Sequence, residues 1–281
     1  MEPVLAETAG FCFGVRRAVD TVYKEIEKGT EQVYTYGPII HNELVVNDFA
    51  RKGVHVIEDE EELKDLKEGT VIIRSHGAPK RIYDLCEKNG LRIVDATCPF
   101  VKKIHRIVVG ENTKGRRAVI VGDPDHPEVA GIRGWGDENT CVIRGLEDLE
   151  AVPRDLPVSI VAQTTYNYIK LKEIIEKIST MNYDIRCFNT VCNATQERQT
   201  EAAEIASRVD TMIVIGSKSS SNTKKLCEIC RARCSDTMFI QSVDDLYGKD
   251  NNSANSIGIT AGASTPEQII EEVQNYVRRK F

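Results

Sequence analysis

The segments AETAGFCFGV (6–15), IVDATCPFVKK (93–103) and FNTVCNATQER (188–198) repeat one local pattern. In each, a short apolar stretch gives way to a small or polar turn, then a cysteine, then a run with helical character. The cysteines are Cys12, Cys98 and Cys192, 86 and 94 residues apart, so the 281-residue chain divides into thirds. Around them, short β-branched runs read as strands: QVYTY (32–36), TVIIRS (70–75), AVIVGD (118–123), VSIVAQT (158–164), TMIVIGS (211–217) and SIGITAG (256–262). They alternate with segments of helical spacing such as PKRIYDLCEKNG (79–90), YIKLKEIIEKIS (168–179), TKKLCEICRARC (223–234) and TPEQIIEEVQNYVRRK (265–280). Alternation of this kind predicts α/β architecture. Gly29 and Gly90 stand where helices would end, and the acidic run 58–69 reads as a solvated helix face.

The repeat extends to two polar loops per third. Cys12 is followed by GPIIHN with His41 and RSHGAP with His76. Cys98 is followed by GDPDHPE with His126 and AQTTYN with Thr164 and Thr165. Cys192 is followed by SKSSSNT with Asn222 and TAGASTPE with Ser264. The cysteine-to-first-loop steps are 29, 28 and 30 residues, and the first-to-second steps 35, 38 and 42. The expected fold is three α/β units, 13–97, 98–191 and 192–281, with residues 1–12 packing against the third. Pseudo-threefold packing of these units would surround one cavity with six loops and three cysteines. The loops would lie at the carboxyl ends of strands, where open α/β sheets bind ligands.

Composition bounds the function. With 41% hydrophobic and 28% charged residues the chain reads as an ordinary globular protein. A net charge of −6 gives no reason to expect nucleic acid or an anionic membrane as partner. No apolar run is long enough for a membrane span, and the start MEPVLAETAG lacks the basic and apolar regions of a secretory signal. Nine cysteines in that setting point to a reducing cytoplasm and to metal or redox use.

Three thiolates around one point suggest a metal centre, an iron–sulfur cluster before zinc. A position just before a helix favours the anionic, metal-binding form of cysteine; the plain alternative is three small buried residues at strand ends. Three ligands are too few for a structural zinc site or an ordinary four-cysteine cluster. A cluster held by three leaves one iron open, which points to catalysis. The loop side chains His41, His76, His126, Thr164, Ser220, Ser221, Asn222 and Ser264 are short donors at helix starts and suit a phosphate or diphosphate. Alternatively, Ser220, Ser221 and Asn222 form an N-cap cluster and the histidines are satisfied loop residues. Glu128, two residues after His126, could deliver a proton from a shielded carboxyl group, or simply favour a helix start. Asp123 and Asp125 read as turn residues, and His55 and His105 as structural. Cys227, Cys230 and Cys234 lie at i, i+3 and i+7, one face of a buried helix, with a second metal or redox site as the rival reading. Cys86, Cys141 and Cys187 are taken as structural.

Together AGFCFGV, GPIIHN, RSHGAP, DATCPFV, GDPDHPEV, AQTT, VCNAT, SSSNT and AGASTP resemble the IspH/LytB family of 4-hydroxy-3-methylbut-2-enyl diphosphate reductases, over residues 6 to 277. The cysteine-rich helix after SSSNT departs from the family pattern. The chain ends just after its last helix, with no appended RNA-binding domain expected. The resemblance implies three α/β units around a 4Fe–4S cluster held by Cys12, Cys98 and Cys192. It implies a diphosphate held by His41, His76, Ser220, Asn222 and Ser264, with Ser221 and His126 also at the site. The substrate hydroxyl would approach the open iron near Thr164 and Glu128. Two electrons and two protons would remove it as water, and protonation of an allyl-type species would give isopentenyl and dimethylallyl diphosphate. Reduced ferredoxin or flavodoxin is the expected donor. The rivals are a cluster-dependent hydro-lyase, for which the loops lack carboxylate-clamping arginines, and an iron–sulfur redox sensor, for which no output module is visible.

Overall fold

The computed structural model describes residues 2–29, 31–152, 154–181, 184–248 and 255–280. Among them, β1 (Val4–Leu5) and α1 (Phe13–Lys28) come first. Then follow β2 (Val33–Tyr36), α2 (Glu43–Arg51), β3 (His55–Ile57), α3 (Glu60–Asp65), β4 (Thr70–Ile73), α4 (Lys80–Lys88) and β5 (Arg92–Asp95). The same alternation continues with α5 (Pro99–Thr113), β6 (Arg117–Val121), α6 (Pro127–Arg133), β7 (Cys141–Ile143), β8 (Val158–Ala162), α7 (Tyr168–Ser179) and β9 (Ile185–Cys187). The last stretch contains α8 (Asn193–Ala206), β10 (Thr211–Ile215), α9 (Ser221–Arg231), β11 (Asp236–Ile240), β12 (Ile257–Ala261) and α10 (Glu267–Lys280).

The strands form three parallel four-stranded sheets, ordered β3-β2-β4-β5, β7-β6-β8-β9 and β11-β10-β12-β1. In chain order each sheet runs second, first, third, fourth. The last sheet takes its fourth strand, β1, from the start of the chain. The chain divides into two compact bodies. One comprises the residues up to Arg16, His41–Leu44 and those from Asn193 onward, and holds the third sheet; the other comprises Arg17–Ile40 and Val45–Cys192, and holds the first two.

The six strands expected from the sequence are the inner pair of each sheet. β4, β6, β8, β10 and β12 are buried along their whole length, and β2 is buried at three of its four residues. Successive side chains point to opposite faces, so a strand covered on both sides must be apolar throughout. Thus Val119 and Val121 pack with α7 residues Leu171, Ile174 and Ile178. On the opposite face Ala118 and Ile120 meet Ile104, Val108, Val129 and Ile132 of α5 and α6. In the third sheet Ile213 and Ile215 join Val273 and Val277 of α10, while Met212 and Val214 join α8 and α9. Each fully buried Val or Ile contributes about 1.5–3 kcal/mol relative to exposure, so these layers hold the sheet edges in fixed register. Gly29 and Gly90 follow α1 and α4 with φ of 61° and 73°, the left-handed turn that ends a helix. No helix among the described residues is long and apolar enough to cross a membrane.

The strand order positions the site. Chain leaving the first strand of each sheet turns one way and chain leaving the third turns the other, so a crevice opens between them at the carboxyl edge. His41, His126 and Ser220–Asn222 follow the first strands; His76, Thr164 and Ser264 follow the third.

Candidate functional site

The three cysteines occupy one repeated local position. Each lies a few residues past the fourth strand of its sheet, with a helix starting one residue later at Phe13, Pro99 or Asn193. Each donates its backbone N–H to the carbonyl two residues beyond the third strand: Cys12 to Ala263 (3.3 Å), Cys98 to Ser75 (2.9 Å) and Cys192 to Thr164 (3.0 Å). All three are half-buried. A side chain at a helix start faces the positive end of the helix dipole, a place that favours negative charge.

In the larger body, which contains both of the first two sheets, an acid and a hydroxyl are locked together. Glu128, in the first turn of α6, is only 2% exposed. Its carboxylate accepts the Thr164 N–H at 2.6 Å and the Thr164 Oγ1–H at 2.7 Å. His126 caps the same helix, its Nδ1 accepting the Glu128 N–H at 3.1 Å. With Nδ1 an acceptor, a neutral His126 carries its proton on Nε2, which becomes a donor. The rings of His76 and His126 meet edge to face, 5.4 Å between centroids. Asp123 and Asp125 behave as turn residues, with the Asp125 N–H donated to the Asp123 carboxylate at 3.2 Å.

In the body that holds the third sheet, Ser264 donates its hydroxyl to the His41 carbonyl (3.0 Å), and Asn42 donates its amide to the Ser264 carbonyl (2.9 Å). Ser220 caps α9 by accepting the Thr223 N–H at 3.3 Å, and Ser221 and Asn222 form the first turn. The capping alternative therefore holds for Ser220, but it does not account for Asn222. That side chain is 5% exposed, and its amide nitrogen has no hydrogen-bond partner among the described residues. A buried donor left unsatisfied costs roughly 1–3 kcal/mol, a cost that a bound anion would remove. Gly262 lets this loop approach α9: a Cβ there would sit 2.0 Å from Thr223 Oγ1.

Cys227, Cys230 and Cys234 are 2%, 0% and 4% exposed in the core beneath the third sheet. The Cys230 and Cys234 thiols lie against backbone carbonyls. Burial, with Cys227 and Cys234 alongside, pushes the Cys230 thiol up to about 12. Packed with Leu226 and Ile205, these thiols take the place of core side chains. Cys86 is likewise buried, whereas Cys141 is half-buried and Cys187 exposed on the edge strands β7 and β9. His105 is buried and stacks on Trp135 at 5.3 Å.

Sequence reasoning missed Asn42, Arg17, Arg74 and Arg198. Arg74, immediately before Ser75 and His76, packs over the Tyr36 ring at 5.9 Å, and burial holds its guanidinium below the usual arginine range. Arg17 and Arg198 grip the backbone leading to Cys98 and Cys12. An arginine on a helix reads as solvated, so no local signal distinguishes these two.

Residues 4–278 match the family model described as LytB protein. The chain is 47% identical over 280 residues to the 4-hydroxy-3-methylbut-2-enyl diphosphate reductase of Thermoanaerobacter sp. (strain X514), covering 99% of this chain and 97% of that one. It is similar to the solved structure of (E)-4-hydroxy-3-methyl-but-2-enyl diphosphate reductase, the terminal enzyme of the non-mevalonate pathway, with a TM-score of 0.72, 39% identity and 99% of each chain covered. It is also similar to the E-1-hydroxy-2-methyl-but-2-enyl-4-diphosphate reductase from Plasmodium falciparum, with a TM-score of 0.90, 30% identity, and 99% of this chain and 88% of that one covered.

Proposed function

The chain belongs to the LytB family, and from that premise we propose that it is the 4-hydroxy-3-methylbut-2-enyl diphosphate reductase of the terminal step of non-mevalonate isoprenoid synthesis. The overall change is replacement of the substrate's hydroxyl by hydrogen: two electrons and two protons enter, and the oxygen leaves as water. Hydrogen delivered to either end of the allylic unit gives isopentenyl or dimethylallyl diphosphate. The three units 13–97, 98–191 and 192–281, with residues 1–12 on the third, would be related by a pseudo-threefold axis. The three matching strand orders support the repetition of one unit.

The observation that carries the reading is the Glu128–Thr164 pair. Hydroxide is a poor leaving group and needs a proton as it departs. Glu128 is a buried carboxyl group held by two donors from Thr164, so its position is fixed before substrate arrives. When Glu128 is protonated it donates to Thr164 Oγ1, the reverse of the resting hydrogen bond, so the Thr164 hydroxyl can pass its own proton to the departing oxygen while taking up the one from Glu128. His41, His76, Ser220, Asn222 and Ser264, with Ser221 and His126, hold the diphosphate; the unsatisfied Asn222 amide and the Nε2 donor of His126 suit an anion. Binding that remote group orients the reacting carbon.

The donor chemistry fits an iron–sulfur centre, because three soft thiol ligands stand at equivalent helix starts. Cys12, Cys98 and Cys192 would hold a 4Fe–4S cluster, which supplies electrons and, at its one iron without a protein ligand, Lewis acidity. Ferredoxin or flavodoxin in the cytoplasm is the proposed electron source.

Anaerobic turnover of the allylic diphosphate with a chemical reductant tests the reading, alongside iron and sulfide analysis. Glu128→Gln is expected to lose at least a hundredfold in kcat while cluster absorbance is retained. Wild-type turnover in that variant would remove the proton-delivery role, and absence of iron from anaerobically prepared protein would remove the cluster.

A further inference from the structure

Two of the three cysteine segments are strapped by an arginine. Arg17, five residues after Cys12, donates to the carbonyls of Asp95, Ala96 and Thr97 at 3.2, 3.2 and 3.0 Å, on the approach to Cys98. Arg198, six residues after Cys192, donates to Thr8 and Gly10 at 2.8 Å each, on the approach to Cys12. After Cys98 the corresponding helix carries Lys103 and Ile104, and among the described residues no hydrogen bond joins Lys103 to the approach to Cys192. The surface there is an open groove of about 590 Å³ along α5, running from Phe100 to Phe188. Its ends lie two residues after Cys98 and four before Cys192.

The groove combines positive charge with apolar surface. Lys103, Arg106 and Lys114 line it with Phe100, Ile107 and Phe188, and Phe100 is 42% exposed. The lining acid, Glu111, is 3% exposed and already paired with Lys114, Arg116 and Arg186. Lys103 and Arg106 have no carboxylate partner among the described residues. A chain of net charge −6 therefore turns a basic face outward beside two of its cysteine segments.

We propose that this groove is the docking surface for a small acidic electron-carrier protein. The inference rests on the proposed function in that electrons must reach the site from outside. Two one-electron carriers are each oxidised by one electron per turnover. With two protons, those electrons break the substrate C–O bond, form a C–H bond and release water. Charge complementarity steers such a partner, and salt weakens it over a screening length of about 8 Å at physiological ionic strength. The exposed aromatic supplies the apolar anchor typical of interface centres.

Binding of oxidised bacterial ferredoxin to the holoenzyme, measured calorimetrically at 20 and 200 mM salt, tests this directly. Lys103→Glu with Arg106→Glu is expected to raise Kd at least tenfold at low salt and to flatten the salt dependence; the milder Lys103→Gln with Arg106→Gln falls between. Turnover driven by dithionite-reduced methyl viologen is expected to stay within twofold of wild type in both variants. Unchanged ferredoxin affinity would overturn the proposal. So would a mixed-sequence oligonucleotide that binds as tightly as ferredoxin and is lost in the same variants. Lack of viologen-driven turnover in wild-type enzyme would sink the proposed function instead, leaving the binding result to be read by itself.

Discussion

At the residue scale the electrostatics of His105 give a prediction with a defined sign. Burial depresses this ring to about 4, with Lys102 acting in the same direction and Asp95 opposing. In an unfolded chain the ring titrates near 6.5. Above about pH 6.5 neither state protonates it. As pH falls from there to about 4, only the unfolded chain takes up the proton, so stability is lost across that window and no further below it. The loss is about 3 kcal/mol. His105→Phe keeps a ring against Trp135 and removes the titration, so urea unfolding at pH 7 and pH 5 should show a shallower pH dependence in the variant. Identical slopes would refute the assignment. Glu128 and Thr164 were legible because their loops recur in rhythm; that the two side chains bond to each other was not, since 36 residues separate them. Arg17 and Arg198 were illegible because their partners are main-chain carbonyls, which leave no trace in composition.

Among the elements, burial on both faces decides what a sequence discloses. TVII, RAVIV and VSIVA are inner strands, covered by helices on two sides, and stand out as β-branched runs. Edge strands such as β5 (RIVD), β9 (IRC) and β3 (HVI) carry half-exposed or exposed positions. Their mixed composition matches that of loops, and none was read as a strand. The helix α9 shows the reverse case: its cysteine spacing resembles a metal motif, yet the face it marks is simply the buried one. Replacing Cys227, Cys230 and Cys234 together by alanine should leave iron and sulfide per folded chain unchanged. It should also destabilise the protein by a few kcal/mol, because core volume is lost. Loss of iron in well-folded triple variant would restore the second-site reading.

For the molecule as a whole, α/β alternation followed from spacing alone. The strand order did not, because two-sided burial makes every inner strand look alike and no residue pattern says which lie side by side. The Arg198 strap predicts how the whole responds to a local change. Arg198→Ala removes buried, charge-assisted hydrogen bonds to Thr8 and Gly10, each worth about 1.5–3 kcal/mol. The expected result is a lowered melting temperature together with faster iron loss in air; unaltered iron retention at an unaltered melting temperature would show the strap to be dispensable. β1 pairs with β12 in parallel, and Arg278 meets Glu2 at 2.6 Å, so the two termini are neighbours. On the ribosome β1 therefore emerges long before its partner strand, and Val4–Leu5, which lead to Cys12, cannot take their place in the sheet until Ile257–Ala261 have been translated. A cluster held by Cys12, as proposed above, would on this reasoning be loaded only after that late strand has been made.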